Sequence, residues 1–306
     1  MYLATPSDFA LSFGRAAWRA VEYSVDDDPR RHALTLARNA GLTDDGDFIA
    51  RVRGFAAGLD FAAGWAWALD RFVADVNPDA YLFRVDYQGG RPLAATVYCR
   101  FPREPDAAGF AAAMRAAHPI AWAGPDPAVI AAAAAVPGPR GVGLRVIATG
   151  ACAAAVYFRL PELRPAAAGP VLAAITDSLG LPAGLAATVE GDLRGLSAST
   201  GGIVGVGTDA AGAVSLKLNP PNVAIDRALA FLAAKGVGAA RIGAVRDLAA
   251  AFRATGLSYL GVRYGARGFT GWRAYFSVEP SRLSAPLQPR LGFGRGVLPT
   301  LRLPHD

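Results

Sequence analysis

The stretch YLFRVDYQGGRPLAATVYCRFP, residues 81–102, is the one on which the fold turns, because its pattern returns three more times. GLRVIATGACAAAVYFRLP (143–161), IVGVGTDAAGAVSLKLNP (203–220) and YLGVRYGARGFTGWRAYFSVEP (259–280) repeat it. Each holds an apolar run, a glycine-containing turn (QGG, TGA, DAAG or GARG), a second run and a closing proline. Two runs joined by such a turn read as a β-hairpin. Pro102, Pro161, Pro220 and Pro280 end the second strand, since proline has no N–H for a ladder. The equivalent positions Arg100, Arg159, Lys217 and Ser277 stand 59, 58 and 60 residues apart, so the chain is an internal repeat.

Helical patterns follow the first three hairpins at Asp106–Ala117, Ala166–Leu179 and Ala224–Lys235, with further pieces near Pro127–Val136 and Ala240–Thr255. Residues Asp8–Arg71 read as helices, with Asp26–Asp28 and Asp44–Asp47 as aspartate-capped helix starts. The tail Arg290–Leu303 has room for one or two strands among its glycines.

Strand side chains alternate between two faces. On the second strands one face is apolar throughout: Val97, Cys99 and Phe101; Val156, Phe158 and Leu160; Val214, Leu216 and Leu218; Ala274, Phe276 and Val278. That face takes the helices. The other carries Tyr98 and Arg100, Tyr157 and Arg159, Ser215 and Lys217, then Arg273, Tyr275 and Ser277, and the first strands add Arg84, Asp86, Arg145 and Arg263 in the same phase. An open sheet with one wet side would show this alternation. So would a nucleic-acid-binding sheet that stacks bases on aromatics. Closure into a barrel is the reading that repetition favours, because each unit adds a similar twist and a closed sheet has no edges. The polar face then becomes a lumen. Several cations facing inward repel one another until an anion joins them, and arginine forks, lysine and tyrosine hydroxyls suit a diphosphate.

Composition narrows the classes. Apolar residues make up 53% of 306, enough for a large core. Cys99 and Cys152 are the only cysteines, which excludes a disulfide framework and a cysteine-rich zinc site. Met1–Arg19 lacks a basic segment followed by an apolar one, and no apolar run reaches the roughly 18 residues of a membrane span, so a cytoplasmic protein without membrane partners is expected. The net charge of +6 is almost all arginine and permits a nucleic-acid or anionic partner, but there is no basic run of five or more and no ribonucleoprotein-type signature, so a nucleic-acid partner is not expected. Asp26–Asp28 and Asp44–Asp47 lack DDxxD spacing, and His32, His118 and His305 are scattered, so no protein metal site is expected. GVGTDAAG lies in a hairpin rather than before a helix, which removes a dinucleotide fingerprint and leaves no organic cofactor. Trp65, Trp67 and Trp272 read as core.

The repeated hairpins, with their Tyr-x-Arg and Ser-x-Lys steps over roughly residues 80–280, resemble the prenyltransferases of the ABBA, or PT-barrel, type. Length and the Asn-Pro end of the third hairpin are most similar to the cyanobactin-type enzymes that modify ribosomally made peptides. The resemblance implies an α+β fold: one domain over 1–306, with a closed antiparallel barrel of about ten strands inside a ring of helices. It implies transfer of a dimethylallyl or geranyl group from its diphosphate to a peptide side chain or amino-acid-like aromatic. A free small aromatic acceptor, or a non-catalytic barrel holding an anionic ligand, are the alternatives. Carried over by position, Arg84, Arg145, Tyr157, Arg159, Lys217, Arg273 and Tyr275 bind diphosphate, and magnesium has a place beside it. Asp86 is the candidate proton acceptor, with an ion pair to Arg84 or Arg145 as its other reading. Gly202 and Gly205, in a glycine-rich strand, are the candidate prenyl pocket and leave room for a geranyl chain.

Overall fold

The alternating stretches pair as hairpins, and there are five of them in the described part of the chain, one more than the repeat revealed. A computed structural model describes residues 20–39, 45–59, 73, 78–101, 139–149, 152–159, 165–197, 202–208 and 214–277. The strands are β1 (Ala20–Asp26), β2 (Arg31–Asn39), β3 (Ala80–Gln88), β4 (Arg91–Arg100), β5 (Pro139–Ile147), β6 (Cys152–Arg159), β7 (Ile203–Thr208), β8 (Val214–Asn219), β9 (Pro221–Ala224), β10 (Gly256–Gly265) and β11 (Gly268–Ser277). Helices α1 (Asp45–Ala57), α2 (Pro165–Ser178), α3 (Gly184–Leu196), α4 (Ile225–Ala234) and α5 (Ala239–Phe252) lie outside them.

Every neighbouring pair is antiparallel, and β11 pairs with both β10 and β1, so ten strands close into a barrel. Pro220 divides β8 from β9, and the two pieces continue one another along β10: Leu216 and Leu218 face its Tyr264 and Val262, while Val223 faces Leu257. The proline interrupts the ladder without opening the wall, since Leu260 N–H donates to the Pro220 carbonyl at 3.1 Å. In the first of the expected hairpins Gly89 and Gly90 both take positive φ, 57° and 79°, the left-handed geometry of a two-residue turn matched to strand twist.

The region expected as helices, Asp8–Arg71, is corrected at its centre. Residues 20–39 form the hairpin β1–β2, and Asp26–Asp28 sit at its turn rather than at a helix start. The aspartates there serve the turn: Asp28 N–H donates to Asp26 Oδ1 at 3.1 Å and Arg30 N–H to Asp28 Oδ1 at 2.9 Å. Without this pair of strands β11 and β3 would be left as edges. The expected helix start at Asp44–Asp47 agrees with α1, and α2, α4 and α5 fall within a few residues of expectation. α3 was not anticipated, since Gly184, Gly191 and Gly195 dilute its helical signal. The expected helices at 106–117 and 127–136 and the strands at 290–303 lie outside the described residues.

The core lies between barrel and helices, as the apolar strand face required. Val97, Val142, Val156, Val204, Leu216 and Val262 are all at most 1% exposed, and Leu172, Val189, Leu232 and Val245 close over the wall from α2 to α5. Phe252 of α5 meets Tyr23 and Phe276 with centroids 5.6 Å away in each case. Trp272 and His32 belong to this outer layer, His32 stacked between Tyr23 and Tyr87. Among the described residues no helix is long and apolar enough to cross a membrane.

Candidate active site

Hairpin connectivity puts every described turn between paired strands at one end of the barrel, and the helical connections at the other. Along each strand the inward side chains therefore run from a helix-side mouth to a turn-side floor. Glu22, Ser24 and Asp26 descend β1; Arg100, Tyr98 and Thr96 descend β4; Asn219, Lys217 and Ser215 descend β8; Ser277, Tyr275 and Arg273 descend β11. A cavity of about 180 Å³ opens among them and is lined by Glu22, Thr35, Arg84, Tyr98, Lys217 and Tyr275.

The floor is an ion cluster. Arg84 Nε and Nη2 both donate to Asp86 Oδ2, at 3.1 and 2.8 Å. Arg273 bridges two carboxylates, giving Nη1 to Asp86 Oδ1 at 2.5 Å and Nη2 to Asp26 Oδ2 at 2.6 Å. Arg145 Nη2 lies 3.6 Å from the same Asp86 oxygen. Burial pushes the Asp86 carboxyl up, but Arg84, Arg273 and Arg145 outweigh it and hold the group well below the usual carboxylate range. A carboxylate with so little affinity for a proton is a poor general base. Asp86 stands as the counter-ion of the arginines, and its ion pair with Arg84 is the one its other reading expected.

Cations above the floor outnumber their partners. Burial, then repulsion from Arg84 and Arg273, holds the Lys217 ammonium well below the ordinary lysine range. Its Nζ donates to Tyr275 Oη at 2.5 Å and lies 4.9 Å from that ring's centroid. Arg145 is likewise pulled down by burial and by Arg84 and Arg273, and 36% of its side chain remains open to solvent. Phenols form the walls: Tyr98 and Tyr157 meet edge to face at 5.5 Å, Tyr259 and Tyr275 at 6.4 Å, and Arg84 Cζ stands 5.9 Å from the Tyr98 centroid.

Glycines on the inward face make this wall possible. A Cβ at Gly143 would come within 2.8 Å of Tyr98 and 3.2 Å of Tyr157, one at Gly205 within 2.8 Å of Tyr157, and one at Gly261 within 2.5 Å of Lys217 Cε. Each side chain lies across the neighbouring strand where a Cβ is missing. At Gly205, the candidate prenyl pocket, the space beside the backbone holds the Tyr157 ring. Gly202 is out of phase with the lumen-facing Ile203, Gly205 and Gly207, and its missing Cβ looks onto the Asn219 carbonyl at 3.2 Å.

Arg84, Arg145, Tyr157, Lys217, Arg273 and Tyr275 thus share one lumen. Arg159 occupies the polar phase of β6, opposite Ile203, but its side chain lies outside the described residues. Arg100 stands at the mouth, its Nε on Asp79 Oδ1 at 2.5 Å, and Arg263 is exposed at the turn end.

One candidate site residue was missed: Glu22. It faces the lumen near the mouth, and burial holds its carboxyl above the usual range, with Ser258, Lys217 and Arg84 drawing it partway back. The signal was present in AVEYSVD, where Glu22, Ser24 and Asp26 alternate with apolar residues. Among the described residues no group of three or more His, Cys, Asp or Glu could hold a metal ion. Asp26 and Asp86 are engaged by Arg273, so these residues do not fit a protein-held magnesium.

A closed ten-strand barrel inside a helical ring, with a cationic and phenolic lumen, is the PT-barrel fold of aromatic prenyltransferases. The 5-dimethylallyltryptophan synthase of Streptomyces coelicolor superposes with a TM-score of 0.59 at 19% identity, over 85% of this chain and 81% of that one. AnaPT from Neosartorya fischeri gives 0.57 at 12%, over 87% and 79%. The 6-dimethylallyltryptophan synthase of Micromonospora olivasterospora, solved in complex with DMASPP and Trp, gives 0.56 at 16%, over 90% and 88%. No family model and no curated protein matches the sequence.

Proposed function

We propose that this protein is a prenyltransferase that moves a dimethylallyl group from its diphosphate to an aromatic acceptor. The observation that carries the reading is the order of the lumen: cations at and above the floor, phenols in the middle, and Glu22 near the mouth. Diphosphate takes the cationic level, held by Arg84, Arg145, Lys217 and Tyr275, with Tyr157 beside them and Arg273 contributing through the cluster. Arg159 belongs to the same set by its register. Fixed cations stabilise the charge that develops on the departing diphosphate as the allylic C–O bond breaks, which lowers the barrier without reorganisation.

The allyl cation then lies among Tyr98, Tyr157, Tyr259 and Tyr275, whose ring faces stabilise positive charge and whose bulk keeps water out. An acceptor entering from the mouth brings its ring to this level and its N–H or O–H to Glu22. Attack forms the new C–C bond, and the proton released from the acceptor goes to Glu22. Its raised proton affinity suits that task better than the clamped Asp86. Magnesium, where it accompanies the donor, takes phosphate oxygens as ligands.

The solved relatives named above are tryptophan dimethylallyl synthases or share their fold, which supports an indole acceptor. Phenols, peptide-borne side chains and a geranyl donor belong to the same reading and are separated by assay. Dimethylallyl and geranyl diphosphate are each incubated with tryptophan, tyrosine and a linear and a cyclic peptide containing both residues. Transfer is read as diphosphate release together with a mass gain of one prenyl unit. Absence of transfer from either donor to all of these acceptors, with no binding of inorganic diphosphate, would sink the proposal.

A further inference from the structure

Besides Ser24, two lumen hydroxyls stand outside the network just described. Thr35 and Thr96 are 3% and 2% exposed, and neither side-chain oxygen has a hydrogen-bond partner among the described residues. Threonines this buried are ordinarily satisfied, because an unmet hydroxyl sacrifices its hydration for nothing. Their position is specific. Thr35 of β2 pairs in register with Arg84 of β3, Arg84 with Thr96 of β4, and Thr96 with Arg145 of β5. All four point into the barrel along one register row, which Glu22 of β1 continues beyond Thr35 toward the mouth, so four adjacent strands present hydroxyl, guanidinium, hydroxyl, guanidinium in a row. Arg145 Nε, at the end of the row, is also buried without a partner. Arg84 spends its described bonds on Asp86, one level below. The row therefore has positive potential from its arginines and unspent O–H and N–H donors between and beside them.

We infer that Thr35 and Thr96 are ligands of the donor's diphosphate, seating one phosphate on the β2–β5 wall while Lys217 and Tyr275 face it from the other side. This rests on the prenyl-transfer reading for the presence of a diphosphate, but it assigns two residues that charge and aromaticity alone do not single out. Two neutral donors between two fixed cations match the several oxygens of one phosphate and add no further repulsion to a crowded lumen.

The test uses Thr35→Val and Thr96→Val, which keep the side-chain shape, beside Thr35→Ser and Thr96→Ser, which keep the hydroxyl. Binding of inorganic diphosphate is measured by calorimetry, and unfolding of the free protein by thermal melting. Each valine variant should bind diphosphate about tenfold or more weakly, the size of a lost bond to a charged acceptor. Each should also melt at or above the wild-type temperature, because a hydroxyl that serves nothing in the free fold has been removed. The serine variants should bind within about threefold of wild type, a difference well under the tenfold expected for a missing bond. Wild-type affinity in both valine variants would overturn the inference and leave prenyl transfer standing. So would a lower melting temperature, which would show that the hydroxyls already serve the fold. Failure of the wild type itself to bind diphosphate would overturn the inference together with the reading on which it rests.

Discussion

Replacing Asp86 by asparagine separates its two readings, counter-ion and base. Both bonds that Arg84 makes in the floor end on Asp86, one of the two that Arg273 makes ends there, and Arg145 lies 3.6 Å from it. Asparagine removes the charge and leaves Arg84 buried without a counter-ion, while Arg273 keeps Asp26. Breaking one side of a buried ion pair costs about 3–5 kcal/mol. With an unfolding entropy of about 2.1 cal/mol/K per residue, a chain of this length loses about 5–8 °C of melting temperature. The loss depends on pH in a stated direction. Asp86 has a folded pKa below its unfolded value near 3.8, so its contribution is complete above that value and fades as pH falls below it. Melting of both proteins between neutral pH and about pH 3 should therefore show a gap that narrows on acidification. Added diphosphate should recover more stability in the variant, whose arginines lack their carboxylate. A melting temperature within about 1.5 °C of wild type at neutral pH, equivalent to about 1 kcal/mol, would refute the clamp.

Glu22→Gln should lower kcat for transfer by about a hundredfold or more while diphosphate affinity stays within a fewfold of wild type, as checked by single-turnover assay and calorimetry. Wild-type kcat should rise with pH through a midpoint above the ordinary carboxylate value of 4.5, as Glu22 ionises, and Glu22→Gln should lose that step. Lys217→Met should bind diphosphate more weakly and yet melt higher at neutral pH. The depressed folded pKa of Lys217 makes the unfolded chain the better proton binder, so wild type gains stability as pH rises toward 10.5 and the gap closes there. Gly261→Ala should also weaken diphosphate binding, at small cost in melting temperature, because the new methyl meets the movable end of Lys217. Removal of divalent ions with EDTA should leave the transfer rate within about twofold, since the described carboxylates of the floor are held by arginines and the leaving group meets fixed cations.

Much of the fold is written in short-range pattern. Alternation has a period of two residues and depends only on what each side chain does in water, so Val97, Cys99, Tyr98 and Arg100 declare their faces without any partner strand. Gly-containing turns and closing prolines act through the dihedral angles of a few residues, and the hairpins they mark are in place. The first hairpin stayed hidden because its turn, Asp26-Asp27-Asp28-Pro29, uses aspartates that equally well begin a helix, and its strands are flanked by alanine-rich sequence. That misreading concealed Glu22, a carboxyl that lines the cavity near its mouth.

Residue order thus determined which surfaces are wet, where the chain reverses, and that cations and phenols would recur on one side of the sheet. It did not determine their pairing. Arg273 reaches Asp26 across 247 residues and Asp86 across 187, and whether Asp86 holds protons or arginines depends on those arrivals. The same holds for Gly205, beside which the Tyr157 ring lies only because the strands pair as they do. Coulomb and steric interactions depend on distance through space, and closure of the barrel is what sets those distances.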